Sequence, residues 1–325
     1  MRRVLITGGA GFIGTHLATR LLDAGDSVVV LDCFDPFYDP AIKRRNVAGL
    51  RARGGDRFEL LEGDIREPEA CRAAVEDVDG VMHLAALAGV RPSLEDPVRY
   101  MDVNVRGTQV LLNAVRDAAA RKPIRFLFGS SSSVYGGNVK VPFAESDPVE
   151  HPVSPYAASK RAGELICYTF HHLTGIPVTC LRFFTVFGPG QRPEMAIHKF
   201  SRMIVDGKPV PMFGDGTTSR DYTFVSDIVD GLVAALERAD GYRIYNLGGS
   251  RTTTLAELIR GIEQALGRTA VIERLPEQPG DVKTTNADLT LVERELGFMP
   301  KVSMAEGLRQ FAAWYLAERE AGRVS

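Results

Sequence analysis

The stretch "PYAASK" at residues 155–160 sets a phenol and an ammonium four positions apart, Tyr156 and Lys160. On a helix that spacing brings both side chains to one face. A cation beside a phenol favours the phenolate and makes an acid-base group of it. A free tyrosine, with a pKa of about 10, must drop by about 3 units to be half ionised at neutral pH, which is roughly 4 kcal/mol. The same residues also read as an ordinary helix start, because Ser154 can cap and Pro155 suits the first turn. Tyr-x-x-x-Lys is common by chance, so the remainder of the chain has to decide between the two readings.

A second group with chemistry lies at the start. "TGGAGFIG" (7–14) spaces Gly8, Gly11 and Gly14 three apart between an apolar run and an amphipathic one. Glycines there permit a tight turn and let a pyrophosphate approach the amides of a helix N-terminus. Asp32 follows Gly14 by 18 residues at the end of the next apolar run, where a carboxylate accepts from the adenosine ribose hydroxyls. Cys33 and Phe34 come after it rather than an arginine, so NAD is expected over NADP. Lys43, Arg44 and Arg45 read as a solvated helix face. Asp64 and Ile65 in "EGDI", and Leu84, Ala85 and Ala86 in "HLAALAG", end two further apolar runs, the edge at which a parallel sheet holds its ligand.

The elements that must position these residues are legible from pattern. Short apolar runs ("RVLIT", "SVVVLD", "RFELLEGD", "GVMHLAA", "IRFLFGS", "PVTCLRF") alternate with helical stretches near 12–24, 40–54, 97–121 and 155–174. Continuous apolar strands separated by helices predict a parallel sheet covered on both faces, an α/β fold of the Rossmann type, doubly wound. The expected division is 1–185 for NAD binding, with some later segments returning to it, and 186–325 mainly for a smaller α/β substrate region. That second region contains the short strands "PVPMF" and "YRIYNLG" and helices near 224–239, 254–266 and 304–318.

With 325 residues, 45% hydrophobic and 25% charged, the composition is that of an ordinary soluble protein. A net charge of −2 offers no field for nucleic acid or an anionic membrane, and glycines interrupt the first apolar run too early for a signal peptide. Neither export nor a membrane span is expected. Four cysteines without C-x-x-C spacing favour a reducing, cytoplasmic home. The histidines show no metal-ligand spacing, and Trp314 reads as core packing.

Taken in order, Gly8-Gly9-Ala10-Gly11-Phe12-Ile13-Gly14, Asp64, "HLAA", "SSSSVYG", Tyr156-x-x-x-Lys160 and "RDYTFVSD" resemble the extended short-chain dehydrogenases that act on nucleotide sugars. The resemblance runs from residue 1 to about 315. It implies that Tyr156 is the acid-base residue and that Lys160 lowers its pKa and binds the nicotinamide ribose. It implies Ser131 as the partner of the substrate hydroxyl and Ser133 as a second sugar contact. Ser130 and Ser132 are expected to point elsewhere, because strand residues alternate faces. Phe12 and Ile13 join the glycines in the cofactor turn. A homodimer through the helices at 97–121 and 155–174 is implied as well.

Within that family, "FYDPAIKRRN", "AALAGVRPSL", "FFTVFGPGQRPEMAI" and "QPGDVKTTNAD" are most similar to UDP-glucuronate 4-epimerases. Oxidising carbon 4 of a hexuronate creates a β-keto acid that loses carbon dioxide when its carboxylate bond aligns with the carbonyl π system. A 4-epimerase must hold that carboxylate. Arg192 offers a bidentate fork for it and Thr185 a hydroxyl, although Arg192 also reads as a loop ion pair. By the same resemblance Arg220 binds the diphosphate, and Asp281 meets the uridine ribose or orients Arg220. Arg91 touches phosphate or carboxylate, or closes its own loop. Gly190, Glu194 and Phe187 depart from the pattern of many relatives. A 4,6-dehydratase would want an Asp-Glu pair where Ser132 and Ser133 stand, and a UDP-glucuronate decarboxylase an acidic residue near Ser133. UDP-glucose 4-epimerase stays open if Arg192 points away from the sugar. A silent NAD-binding regulator would be marked by loss of Tyr156 or Lys160, and both are present.

Overall fold

The computed structural model describes residues 1–238, 240–276 and 282–324. Chain order in the first part is β1 (Arg3–Thr7), α1 (Phe12–Asp23), β2 (Ser27–Asp32), α2 (Pro40–Gly54), β3 (Phe58–Glu62), α3 (Pro68–Ala74) and β4 (Gly80–His83). There follow α4 (Val90–Glu95), α5 (Pro97–Met101), α6 (Gly107–Ala119), β5 (Arg125–Ser131), α7 (Pro155–Thr174), β6 (Val178–Phe183) and β7 (Thr185–Phe187). The remainder comprises α8 (Ala196–Val205), β8 (Val210–Phe213), β9 (Ser219–Phe224), α9 (Val225–Arg238) and β10 (Tyr242–Leu247). Last come β11 (Thr252–Thr254), α10 (Leu255–Leu266), β12 (Ile272–Leu275), α11 (Thr290–Leu296) and α12 (Met304–Glu320).

Seven parallel strands form the main sheet in the order β10-β6-β5-β4-β1-β2-β3. Successive residues of each strand feed opposite cores. Val4, Ile6, Val28 and Val30 pack with Leu17 and Leu21 of α1, whereas Leu5, Val29 and Leu31 pack with Leu111 and Val115 of α6. Burial on both faces explains why these strands read as unbroken apolar runs. The order reverses between β1 and β4, which opens the crevice where such sheets take their ligand.

Two elements differ from the sequence reading. "YRIYNLG", expected in the smaller region, lies in the main sheet as β10, parallel to β6, and α9 before it packs on α1. The helix expected over 97–121 is interrupted by a π turn at Asp102–Arg106. The cause is visible in Asn104, whose buried amide donates to the Leu87 carbonyl at 2.9 Å and to Ser159 Oγ at 3.0 Å, and accepts from Leu87 N–H at 2.8 Å. The widened turn lets one side chain tie the segment after β4 to α7. The smaller region is built from the sheet β11-β9-β7, the pair β12-β8, and α10 set between α8 and α12.

Candidate active site

The first turn of α7 carries the Tyr-Lys pair. Ser154 caps it by accepting from Ala157 N–H at 3.1 Å, so the helix-start reading and the chemical one describe the same residues. Tyr156, Lys160, Ser131, Ser132 and Ser133 border one cavity of ≈ 460 Å³ at the carboxyl edge of the sheet. Ser133 Oγ donates to Ser131 Oγ at 2.9 Å; Ser130 also borders the cavity, but its hydroxyl turns the other way and donates to Glu164 at 2.6 Å. Ser132 was expected to face away, but Ser132–Tyr135 is a 3₁₀ turn, so strand alternation has ended before it.

Lys160 is buried, and its Nζ donates to the Gly129 carbonyl at 2.7 Å, 6.0 Å from the centre of the Tyr156 ring. Burial lowers its pKa to about 8, against the carboxylate charge of Glu164. Burial raises the Tyr156 phenol, and the two groups that pull it down are Ser131 and the guanidinium of Arg192.

The cavity extends to the glycine turn. A Cβ on Gly14 would stand 2.5 Å from the Gly8 carbonyl oxygen and 2.7 Å from Gly9 Cα, so only glycine fits there. Gly8 has φ +68°, the left-handed region that glycine favours. Gly11 precedes α1, whose first amides have no helical partner. Asp32 accepts from Ala10 N–H at 3.1 Å and Phe34 N–H at 2.9 Å, which leaves lone pairs on both oxygens. Burial raises its pKa, against those backbone hydrogen bonds. Gly8, Gly11, Phe12, Ile13, Gly14, Asp32, Asp64, Ile65, Leu84, Ala85 and Ala86 all line the cavity. The Asp64 carboxylate also accepts from Arg66 at 2.7 Å, which outweighs burial and leaves its pKa below the usual value. An anion cradle, a ribose acceptor and apolar walls fit a dinucleotide.

One residue near this end corrects the sequence reading. Lys43, expected on a solvated face, is buried, donates to the Asp35 carbonyl at 2.9 Å, and has its Nζ 4.8 Å from the Tyr38 ring centre. It lines the cavity together with Phe37 and Tyr38, residues that spacing alone did not single out. Arg44 stacks on Phe34 at 4.3 Å while its fork pairs with Glu62 at 3.1 Å.

Of the residues assigned to substrate, Thr185 and Arg192 line the cavity. The Arg192 guanidinium lies 5.6 Å from the Phe37 ring centre and its Nε 3.2 Å from Glu194 Oε1, so a loop ion pair is present as well. Arg91 and Arg220 do not border this cavity. Arg91 lies 5.7 Å from the ring centre of Phe213 in β8, and Arg220 donates to the carbonyls of Ser219 and Lys283. Asp281 lies outside the described residues. Among the described residues no cluster of three or more His, Cys, Asp or Glu could hold a metal, and no helix is long and apolar enough to cross a membrane.

A glycine-rich strand-to-helix turn, a carboxylate at the end of the second strand and a Tyr-Lys-Ser group at one sheet edge define a dinucleotide-dependent short-chain dehydrogenase fold. The chain belongs to the NAD-dependent epimerase/dehydratase family, which it matches over residues 4–248. It is 40% identical to UDP-glucuronate 4-epimerase 4 of Arabidopsis thaliana over 97% of this chain and 75% of that one. A probable UDP-glucuronate 4-epimerase of Rhizobium meliloti (strain 1021) is 39% identical over 96% of both chains. The crystal structure of UDP-glucuronic acid 4-epimerase from Bacillus cereus, in complex with UDP-glucuronic acid and NAD, has a TM-score of 0.89 at 35% identity. It covers 97% of this chain and 99% of that one.

Proposed function

We propose that the protein interconverts UDP-glucuronate and UDP-galacturonate by reversible 4-epimerisation through a transient 4-keto sugar. The observation that carries this reading is the placement of Arg192 and Thr185 in the same cavity as Ser131 and Tyr156. A neutral hydroxymethyl group would offer the half-buried guanidinium no anion beyond Glu194, whereas a carboxylate accepts its fork. The similarity to UDP-glucuronate 4-epimerases over nearly the whole chain supports the same choice.

When bound, NAD supplies the two-electron acceptor for carbon 4 and returns the pair. The protein does the rest. Gly8 to Gly14, Asp32 and Lys43 orient the dinucleotide, and the apolar walls Ile65, Leu84 and Ala85 exclude water. Tyr156 takes the 4-hydroxyl proton and gives it back after the keto sugar has turned its other face, with Ser131 holding the same oxygen and Ser133 orienting Ser131. Lys160 supplies a positive charge beside them. Arg192 and Thr185 hold the bond to the carboxylate out of line with the π system of the 4-keto group. We assign residues 1–185 with α9 and β10 to the NAD lobe and the rest of 186–325 to the UDP-sugar lobe. Arg91, Arg220 and Asp281 are the proposed contacts of the nucleotide half. Exposed apolar side chains on α4, α5 and α7, among them Leu94, Val98, Leu165 and Tyr168, support a homodimer through these helices. A cytoplasmic home accords with four unpaired cysteines.

Product analysis after incubation with UDP-glucuronate tests the reading. UDP-galacturonate without accumulation of NADH is expected. A pentose product would favour a decarboxylase, stoichiometric NADH a dehydrogenase, and no reaction a silent NAD-binding regulator. Strong turnover of UDP-glucose with none of the uronate would favour UDP-glucose 4-epimerase.

A further inference from the structure

We propose that His16 and His198 are positioning residues for substrate and product choice: two imidazoles grip two carbonyls of the loop that carries Arg192 and so aim its guanidinium. The inference rests on the reading of Arg192 as the partner of the uronate carboxylate.

The loop joins β7 to α8. Gln191 N–H donates to the Gly188 carbonyl at 3.1 Å, with Pro189 second and Gly190, at φ +79°, third in the turn. Positive φ at that position suits glycine and makes this a type II turn, in which the Pro189 carbonyl has no partner within the turn. His16, on the cofactor-turn helix α1, places Nε2 at 2.8 Å from that oxygen. From the other side His198 of α8 places Nδ1 at 2.7 Å from the carbonyl of Gln191, the residue immediately before Arg192. The His198 ring is itself wedged among Phe311, Trp314 and Tyr315, with ring centres 5.4–5.8 Å away. The Gln191 amide closes the frame by donating to the Val186 carbonyl at 3.0 Å.

A carbonyl only accepts, so each ring must donate from the nitrogen that touches it. A neutral imidazole of the right tautomer does so, and so does an imidazolium. Burial lowers both pKa values against those same backbone hydrogen bonds, and the grip is kept in either protonation state. It is therefore a mechanical brace, not a pH switch. Its two anchors differ: His16 refers the loop to the cofactor turn, and His198 refers it to α12 in the smaller region.

A displacement of about 1 Å is enough to spoil an aligned site. If the fork of Arg192 drifts, the sugar can turn its C5–C6 bond parallel to the π orbital of the C4 carbonyl. The C5–C6 bond then breaks, its electron pair passes into the C4 enolate, carbon dioxide leaves, and protonation at C5 gives the UDP-4-keto-pentose. The brace thus bears on the ratio of epimer to pentose as well as on affinity.

The test uses the full-length holoprotein with His16→Leu, His16→Gln, His198→Leu, His198→Asn and Arg192→Leu. A glutamine amide nitrogen stands where imidazole Nε2 stood, and an asparagine amide nitrogen where Nδ1 stood, so these two variants keep the donor. NAD content, UDP affinity by calorimetry, KM for UDP-glucuronate and the pentose-to-epimer ratio by mass spectrometry are measured. The leucine variants are expected to raise KM by about tenfold and to raise the pentose fraction, with NAD content and UDP affinity within about twofold of wild type. Glutamine and asparagine are expected to restore both. Leucine variants with wild-type KM and product ratio, beside an Arg192→Leu that changes both, would overturn the brace while leaving the function intact. Donor-keeping variants as impaired as leucine, or leucine variants that lose NAD or UDP, would overturn it too. Should one leucine variant not fold, the other histidine's pair decides. An Arg192→Leu with unchanged KM and products would remove the reading of Arg192 itself.

Discussion

Lys160 Nζ donates to the carbonyl of Gly129, one residue before the serine run, at 2.7 Å. The hydrogen bond crosses from α7 to β5 and fixes the helix that carries the phenol against the strand that carries Ser131. Burial holds the ammonium's pKa down to about 8, so its positive charge is present at neutral pH and fades as pH rises through that value. The thiol of Cys167, raised by burial, stays neutral there, which leaves Glu164 as the carboxylate supporting the charge.

The first prediction follows. Turnover that needs an ionised Tyr156 and a charged Lys160 rises with the phenolate fraction; because burial holds the phenol above its usual pKa while the ammonium titrates near 8, the rise levels off near pH 8, where each gain in phenolate is offset by a lost ammonium. Lys160→Met removes that offset, so its lower turnover keeps rising past pH 8. A pH profile of kcat for both proteins checks this, and levelling near pH 8 that persists in the Met variant would assign it to another group.

Tyr156→Phe removes the proposed proton acceptor and leaves the ring. The loss in kcat is expected to be at least ~10²-fold, the usual contribution of general acid-base catalysis, with UDP affinity near wild type. Ser131→Ala loses less, because the phenol still reaches the hydroxyl, but raises the pH at which turnover appears, since Ser131 pulls the phenol's pKa down. Steady-state kinetics together with UDP calorimetry separate these effects.

The glycine turn, Asp32 and the Tyr-Lys pair were legible in sequence because each depends on short spacing, and short spacing survives folding. Lys43 was not, because "KRR" at the start of α2 carries no signal that tells which of three neighbouring cations turns inward over Tyr38. The place of β10 was not legible either, since a six-residue strand looks the same in whichever sheet it lies and only the path of α9 over α1 brings it beside β6. Arg91 stacks on Phe213 and His16 meets Pro189, contacts between distant parts of the chain that local pattern does not encode.

Gly14→Ala sets a methyl group into the Gly8 carbonyl and Gly9 Cα, backbone that cannot step aside without moving the turn. Overpacking of this kind costs about 1–3 kcal/mol, and here the distortion falls on the proposed cofactor cradle. The variant should purify with far less NAD than wild type and recover turnover on addition of excess NAD. The ratio of NAD to protein after acid release measures it, and a full complement of cofactor would show that the turn is not the pyrophosphate cradle.

The last prediction concerns the charges beneath the site. Arg182 of β6 grips Glu164 of α7 through two hydrogen bonds, 2.8 Å and 2.9 Å, with both side chains essentially inaccessible to water. Ser130 and Arg161 add to the same carboxylate, so one buried glutamate joins β5, β6 and α7. Removing one partner leaves the other charge buried, and Glu164→Leu or Arg182→Met alone should lower stability by about 3–5 kcal/mol. The double variant replaces the pair with apolar groups of similar size and should recover most of that loss, because neither charge then has to be desolvated. The sign with pH is set by Glu164, whose pKa is raised by burial and lowered further by Arg182 and Ser130 to a net value below 4.5. A depressed carboxylate contributes stability that is present above its unfolded pKa and lost as pH falls through its folded one. Wild-type stability should therefore drop below pH 4.5 more steeply than that of the double variant. Urea denaturation at several pH values tests both statements, and a double variant no more stable than either single one would show that the pair contributes more than its desolvation removes.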